Sequence, residues 1–308
     1  MTQPIVILLS TYNGQLYLEA QINSLYAQTH QNFSLIVRDD GSTDQTRAIL
    51  KKYAQRYSNI ILIEGDNLGV INSFYHLLAH CPANPKQFYA FCDQDDVWQP
   101  AKLTNALHRL NATVNPALAL VCSRLAYVDS ELNLLQLSPI PMFFGFENAL
   151  IENSAIGCTM VFGEVIRQKI LAANPDQMMM HDWWAYLVAA AFGEVLYDPE
   201  PSILYRQHAN NVVGWDKQCS TLLKKSTKFL RNILVEQQGL QSLTQAAYFL
   251  KTYPDLSEAK QQLLGELLEL KTSSTILDRY RFLQRTNIQR NNAIENLILR
   301  LTVLFNLH

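Results

Sequence analysis

Three carboxylates stand close together in the stretch Asp93-Gln94-Asp95-Asp96-Val97-Trp98. Carboxylates on a tight turn offer hard oxygen ligands, the donor set that suits Mg2+ or Mn2+. Such ions keep open positions that substrate phosphates fill, so the turn fits a site where a diphosphate leaves as a metal-stabilised anion. A polar turn in which Asp95 or Asp96 caps the next helix is the structural alternative. Two more acidic stretches occur upstream, Asp39-Asp40-Gly41-Ser42-Thr43-Asp44 and Gly65-Asp66-Asn67. Carboxylates crowded in this way repel unless something positive sits among them. Neither a Gly-x-x-x-x-Gly-Lys-Ser/Thr loop nor a Gly-x-Gly-x-x-Gly turn follows the first apolar run, so the usual phosphate cradles are missing. A nucleotide whose diphosphate is held through a metal fits better. Asp40 could accept a hydrogen bond from a base imide N–H, and Tyr12 could pack on the base.

The elements that must position these residues follow from periodicity. Residues 5–9, 34–38, 60–64, 88–92 and 118–123 are short apolar runs of the kind that form buried strands. Helical spacing fills the gaps over 16–28, 44–57, 70–80 and 100–111. This alternation predicts an α/β fold, a mostly parallel central sheet with helices on both faces. In such sheets ligands bind at the carboxyl ends of the strands. Ser10-Thr11-Tyr12-Asn13-Gly14 and the three acidic stretches all lie there. Residues 126–215 are less regular, with strands expected at 158–162 and 194–197, a helix over 183–191, and Pro199 and Pro201 in loops. Beyond Trp215 only helical spacing remains, notably over 255–271 and 292–305. The expected domains are therefore 1–215, catalytic, and 216–308, helical.

Composition narrows the classes. The 308-residue chain is 48% hydrophobic and 17% charged, which excludes a disordered chain. No apolar run approaches the ~18 residues of a membrane span, and the N-terminal run lacks the basic flank of a signal peptide. The cysteines are scattered without a Cys-x-x-Cys pair, which points to a reducing compartment, the cytoplasm. Residues 1–215 carry 12 Lys+Arg against 19 Asp+Glu, and residues 216–308 carry 13 against 8. The acidic body argues against nucleic acid as a partner. The basic excess gathers in residues 217–234. At about 100° per residue, Leu222, Leu223, Phe229, Leu230, Ile233 and Leu234 share one face there, and Lys217, Lys224, Lys225, Lys228 and Arg231 the other. Such a helix can lie in an anionic headgroup layer, here the inner face of the plasma membrane. Packing on the rest of the chain, or on a second copy in a homodimer, is the alternative.

Several of these stretches resemble one family. Ser10-Thr11-Tyr12-Asn13-Gly14, then Tyr17-Leu18, Ser24-Leu25-Tyr26-Ala27-Gln28-Thr29, Arg38 through Thr46, and Asp93 through Trp98 follow the order and spacing of family-2 glycosyltransferases of GT-A fold. His181-Asp182-Trp183-Trp184 and the stretch from Tyr205-Arg206-Gln207-His208 to Gly214 add a resemblance to the rhamnosyltransferase-like branch. The likeness covers about residues 3–215. It implies inverting transfer of a sugar from a dTDP- or UDP-sugar, with L-rhamnose suggested, to a glycan or lipid-linked acceptor in surface polysaccharide synthesis. It implies nucleotide-sugar contacts at Ser10, Thr11, Tyr12, Asp40, Asp93 and Asp95, metal contacts at Asp95 and Asp96, and Asp182 as the base. The family more often has Glu-Asp where this chain has His181-Asp182, which leaves the role of His181 open.

The chemistry can also be argued without the resemblance. Inversion at an anomeric carbon needs a base on the acceptor side and an electrophile at the leaving group. A carboxylate suffices as base, because the acceptor proton is lost late. The leaving diphosphate needs no protonation, unlike the leaving group of a glycosidase. For Asp182 the alternative is a helix N-cap. His208 is either a nitrogen ligand or phosphate contact, or a plain loop residue. Trp183 and Trp184 offer an acceptor wall, although adjacent helix positions diverge and one of the two should face the core. Gly157-Cys158-Thr159 lines an acceptor cleft or is core strand, and Phe143-Phe144-Gly145-Phe146 is an acceptor lid or packing. Two other functional classes remain. A nucleotide- or glycan-binding module without turnover is disfavoured by the joint presence of Asp93, Asp95, Asp96 and Asp182. A nucleotidyltransferase is disfavoured because residues 10–14 contain no Lys or Arg.

Overall fold

The run at 5–9 continues through two polar residues into β1 (Ile5–Thr11), which pairs in parallel with β2 (Phe33–Asp40) and β4 (Phe88–Cys92). β2 pairs in parallel with β3 (Ile60–Gly65). β1, β2 and β4 are continuous apolar runs because both faces are covered, whereas β3, at the sheet edge, is only partly buried. Register sets Ser10 and Thr11 opposite Arg38 and Asp39, and Asp39 and Asp40 opposite Glu64 and Gly65. The polar ends of three strands therefore lie side by side. The computed structural model describes residues 3–208, 238–270 and 274–305.

Helices α1 (Leu18–Tyr26), α2 (Thr46–Arg56) and α3 (Val70–His80) connect the parallel strands. α1 buries Leu18, Ile22 and Leu25, one face at helical spacing. Past β4 the sheet becomes mixed. β5 (Val97–Trp98), α4 (Lys102–Asn111), β6 (Ala119–Val128), β7 (Leu134–Leu137), α5 (Phe146–Ala149), β8 (Val161–Gly163), α6 (Glu164–Leu171), α7 (His181–Phe192) and β9 (Glu194–Arg206) follow. β8 inserts antiparallel between β4 and β6, β9 runs parallel to β6, and β5 closes the edge antiparallel to β9. The strand order is β3-β2-β1-β4-β8-β6-β9-β5, with β7 beside β6. The sheet is mixed and mostly parallel, as expected, but two local expectations fail. The strand expected at 158–162 starts only at Val161, because residues 157–159 form a 3-10 turn. Pro199 and Pro201 lie within β9 rather than in loops. The register shifts on either side of Arg124, which pairs with Pro201, and such an irregularity tolerates a residue without an N–H.

Lys102 joins Arg38, Arg167 and Arg206 as a buried cation of this sheet-and-helix core. Lys102 is only 2% exposed, its Nζ donates to the Thr159 carbonyl at 3.0 Å, and it sits 4.6 Å from the centre of the Trp98 ring. Burial lowers its pKa to about 8. Between that value and about 10.4 the unfolded chain holds the proton that the native state has released, so stability rises with pH across this window. Relative to Lys102→Met, the wild type should gain about 3 kcal/mol from pH 7 to 10.5, read from urea midpoints at each pH. Parallel pH curves for the two proteins would rule this out.

Contacts divide the chain into two units, Met1–Ile140 with Ala155–Ala189 and Gly193–Gly214, and Pro141–Ser154 with Ala190–Phe192 and Trp215–His308. The second unit thus draws in two segments from before residue 215. Its described helices are α5 and, past residue 215, α8 (Gln238–Thr252), α9 (Glu258–Glu269), α10 (Ile276–Arg285) and α11 (Ala293–Phe305). α10 opens on a capping box in which Thr275 and Asp278 exchange hydrogen bonds. No described helix is long and apolar enough to cross a membrane. The basic amphipathic stretch 217–234 lies outside the described residues.

Candidate active site

The loop after β1 is fixed from two sides. The Tyr12 backbone N–H donates to Gln94 Oε1 at 2.9 Å, and its carbonyl accepts from Gln94 Nε2 at 3.0 Å. The Asn13 and Gly14 N–H groups donate to Ser42 Oγ and Thr46 Oγ1. Asn13 has φ +49, a left-handed conformation that asparagine tolerates. The Tyr12 side chain is left 48% exposed. Ser10 Oγ lies 2.6 Å from Ser73 Oγ of α3, and Thr11 is buried against Asp39.

The seven aspartates look alike in sequence, but the structure separates them. Asp39 pairs with Arg47 Nε at 2.7 Å and accepts from the Ser42 N–H. Asp40 is buried, pairs with Arg38, and accepts from the Leu68 and Gly69 N–H groups, each at 2.9 Å. Its carboxylate thus ties β2 to the loop after β3 through internal donors, rather than standing free for a nucleobase imide.

The turn after β4 is different. Ligand atoms of Asp93, Asp96 and Cys158 lie within 4.8 Å of one another. Asp96 Oδ1 accepts from the Arg206 N–H at 3.2 Å, while its Oδ2 is buried without a hydrogen-bond partner. Burial, then the charges of Asp95 and Asp182, push the Asp93 carboxyl up to about 7. Burial, then Asp95 and Asp93, hold Asp96 well above the usual carboxylate range. The Cys158 thiol is raised by burial and then by the charges of Asp96 and Asp93. Asp95 turns the other way, with Oδ2 2.7 Å from His208 Nε2. Of Asp95, Asp96 and His208, the structure thus joins Asp95 to His208 and sets Asp96 with Asp93 and Cys158.

Asp182 lies in the first turn of α7, where the helix dipole favours a negative charge. Its Oδ2 accepts from the Gly157 N–H at 3.0 Å and its Oδ1 from the Trp183 N–H at 2.7 Å. Met180, not Asp182, is the N-cap. His181 stacks on Phe74 at 4.0 Å and meets the edge of Phe91, with both ring nitrogens buried and unpartnered. Burial lowers its pKa and favours the neutral ring. Trp184 is completely buried and cannot form an acceptor wall; Trp183 alone of the pair is partly exposed.

Gly157 fits closely under Asp182. A Cβ there would lie 3.0 Å from Asp182 Cβ and 3.3 Å from its Oδ2. Gly157→Ala should therefore shift the carboxylate and, on the expectation that Asp182 is the base, lower kcat tenfold or more with nucleotide affinity unchanged. Unchanged kcat in that variant would mean that the position of Asp182 does not matter.

Sequence reasoning missed Gln94 and Arg206 as parts of this site, and placed Cys158 at an acceptor cleft or in a core strand rather than beside Asp93 and Asp96. Arg206 Nε donates to the Asp95 carbonyl at 3.0 Å, and the guanidinium lies 4.4 Å from the centre of the Tyr17 ring, which stacks on His208. Its only signal was its place beside His208 in the downstream motif.

Residues 6–173 match the family model described as glycosyl transferase family 2. Over 217 residues the sequence is 30% identical to a dTDP-rhamnosyl transferase RfbG of Shigella flexneri, covering 67% of this chain and 73% of that one. An uncharacterized glycosyltransferase RP339 of Rickettsia prowazekii is 25% identical over 264 residues, 80% of this chain and 79% of that one. Among solved structures, S. aureus TarS 1-349 matches with TM-score 0.58 at 17% identity, over 99% of this chain and 80% of that chain. The mannosyltransferase PcManGT from Pyrobaculum calidifontis, in complex with GDP-Man and Mn2+, matches with TM-score 0.51 at 16% identity, over 98% and 88%. These two likenesses bear on the fold, which is GT-A.

Proposed function

Since the chain belongs to glycosyl transferase family 2, we propose that it moves L-rhamnose from dTDP-L-rhamnose to a glycan or lipid-linked acceptor, with inversion at the anomeric carbon. The similarity to a dTDP-rhamnosyl transferase supports the donor. The observation that carries the chemistry is that Asp182 Oδ2 is held at 3.0 Å by the Gly157 N–H, next in sequence to Cys158, whose thiol lies with the carboxylates of Asp93 and Asp96.

The donor set fits a divalent cation. Asp93 and Asp96 offer hard oxygens, Asp96 Oδ2 is a buried acceptor without a donor, and the protonated Cys158 thiol is a poor competitor for Mg2+ or Mn2+. Asp93 and Asp96 would hold the ion, with Asp95 and His208 adjoining them. Mg2+ or Mn2+ there would neutralise the diphosphate as its charge develops.

The remaining steps belong to the chain's own residues. Tyr12 offers its exposed ring to the base, while Ser10, Thr11 and Asp40 hold the floor beneath it. Asp182, oriented by the Gly157 and Trp183 N–H groups, keeps lone pairs for the acceptor O–H. The acceptor oxygen bonds to the anomeric carbon, its proton passes to Asp182, and the bond to the diphosphate breaks with its electron pair. Attack from the face opposite the leaving group inverts the centre. Trp183 borders the acceptor side.

A panel of dTDP-, UDP- and GDP-sugars with Mg2+ or Mn2+, scored for nucleoside diphosphate release, tests this reading. Release from dTDP-L-rhamnose is expected. Release from UDP- or GDP-sugars alone would reassign the donor, and none at all would leave a binding module. The sequence of residues 217–234 supports a peripheral contact with the anionic inner leaflet, where lipid-linked acceptors lie. Lys224→Glu with Lys225→Glu should then abolish flotation with anionic liposomes; flotation unchanged by the pair, or absent in the wild type, would exclude that contact.

A further inference from the structure

The second unit contains a cavity of about 790 Å3 that the transfer chemistry does not use. Phe143, Phe144 and Phe146 line one side, α9 lines another through Ala259, Lys260 and Gln262, and Arg285 to Asn287 complete it. The aromatic wall is preformed. Asn291 accepts from the Phe143 N–H at 2.8 Å and donates to its carbonyl at 3.1 Å, and Glu147 accepts from the Asn287 N–H at 3.1 Å. Gly145, at φ +117, turns the chain between Phe144 and Phe146. The three phenylalanines remain partly exposed.

The chemistry of the lining selects a ligand class. Sugar rings present apolar C–H faces, which pack on aromatic rings, and a rim of hydroxyls, which bond to carboxylates, amides and guanidinium groups. The cavity supplies both kinds of group. Its charges balance, Glu147 and Glu266 against Lys260 and Arg285, and two of these already pair as Glu266 with Arg285. A balanced lining does not select a phosphate-rich ligand such as a nucleotide or an anionic headgroup. Four charged side chains are equally ill suited to a lipid tail. The volume lies within the range of about 300–1,000 Å3 typical of ligand pockets and exceeds what a single sugar ring fills.

We propose that this cavity is a second carbohydrate site, which binds a neutral oligosaccharide segment of the acceptor independently of the donor and its metal. The proposal rests on the reading that the acceptor is a glycan. A polymeric acceptor held at two places gains avidity without any change at the reacting centre.

The test is binding of the full chain, in excess chelator and without donor, to neutral oligosaccharides that include an L-rhamnose trisaccharide. A phosphate-bearing oligosaccharide and anionic vesicles serve as comparisons. Saturable binding of a neutral oligosaccharide is expected. Ala259 is exposed on α9, so Ala259→Trp intrudes into the cavity without removing a packed side chain. That variant should weaken binding at least tenfold with melting temperature and donor hydrolysis unchanged, and Phe144→Ala should weaken it likewise. Asp182→Asn should bind as the wild type does. No binding at millimolar oligosaccharide, equal binding by Ala259→Trp, or a preference for the phosphate-bearing ligand or the vesicles would overturn the proposal while donor hydrolysis remains intact. Binding without nucleotide release from any donor would instead overturn the transfer reading alone.

Discussion

Asp182→Asn is expected to lower kcat for transfer by at least about a hundredfold, the lower end for removal of a general base, while nucleotide affinity stays within a few-fold. Asparagine has the shape of aspartate, so the start of α7 should persist. The amide can still accept one of the two hydrogen bonds that Gly157 and Trp183 now donate. The loss of the other costs roughly 1.5–3 kcal/mol of stability, because it is made to a charged group. An amide cannot take the acceptor proton at any accessible pH, so the damage should fall on kcat. Turnover measured beside dTDP affinity separates the cases. Near-normal turnover with weakened nucleotide binding would move Asp182 to the donor side.

A second large effect is expected at Asp96, with opposite signs in two measurements. Asp96 is fully buried, and burial together with Asp95 and Asp93 makes its charged form unfavourable. Asp96→Asn keeps an acceptor for the Arg206 N–H and removes one carboxylate from the cluster. Without metal, the variant should therefore be at least as stable as the wild type. With saturating Mn2+ the order should reverse. A ligand at a hundred times its Kd stabilises the native state by about 2.7 kcal/mol, and the variant should lose most of that rise together with at least about a hundredfold in transfer. Melting curves with Mn2+ and with chelator read the stability change. Full wild-type activity in excess chelator, or equal Mn2+ stabilisation of both proteins, would remove the cation from this site.

The parallel half of the sheet was legible because β1, β2 and β4 are buried on both faces and read as unbroken apolar runs, and the partly exposed edge strand β3 keeps the run Ile60-Ile61-Leu62-Ile63. The polar residues that follow each run then fall at one edge by register. β8 was not legible at its start, because Val161-Phe162-Gly163 is too short for a period to show, and the N–H of Gly157 bonds to a side chain 25 residues away. The site residues that escaped notice share that feature. Arg206 and Gln94 act on atoms far along the chain, and such contacts leave no local spacing. The crowding of Asp39 and Asp40 was legible in a way not used. Arg38 and Arg47, which neutralise them, stand within eight residues. The depth of Trp184 could be narrowed only to one of two neighbours, since a helix turns adjacent side chains about 100° apart.

The most direct measurement is calorimetric titration of the full chain with dTDP, once in Mn2+ and once in excess chelator. Saturable binding in Mn2+ is expected, weakened more than tenfold by the chelator and by Asp96→Asn but retained by Asp182→Asn. Equal affinity with and without the metal, or no binding in either, would contradict a diphosphate held through a cation at Asp93 and Asp96.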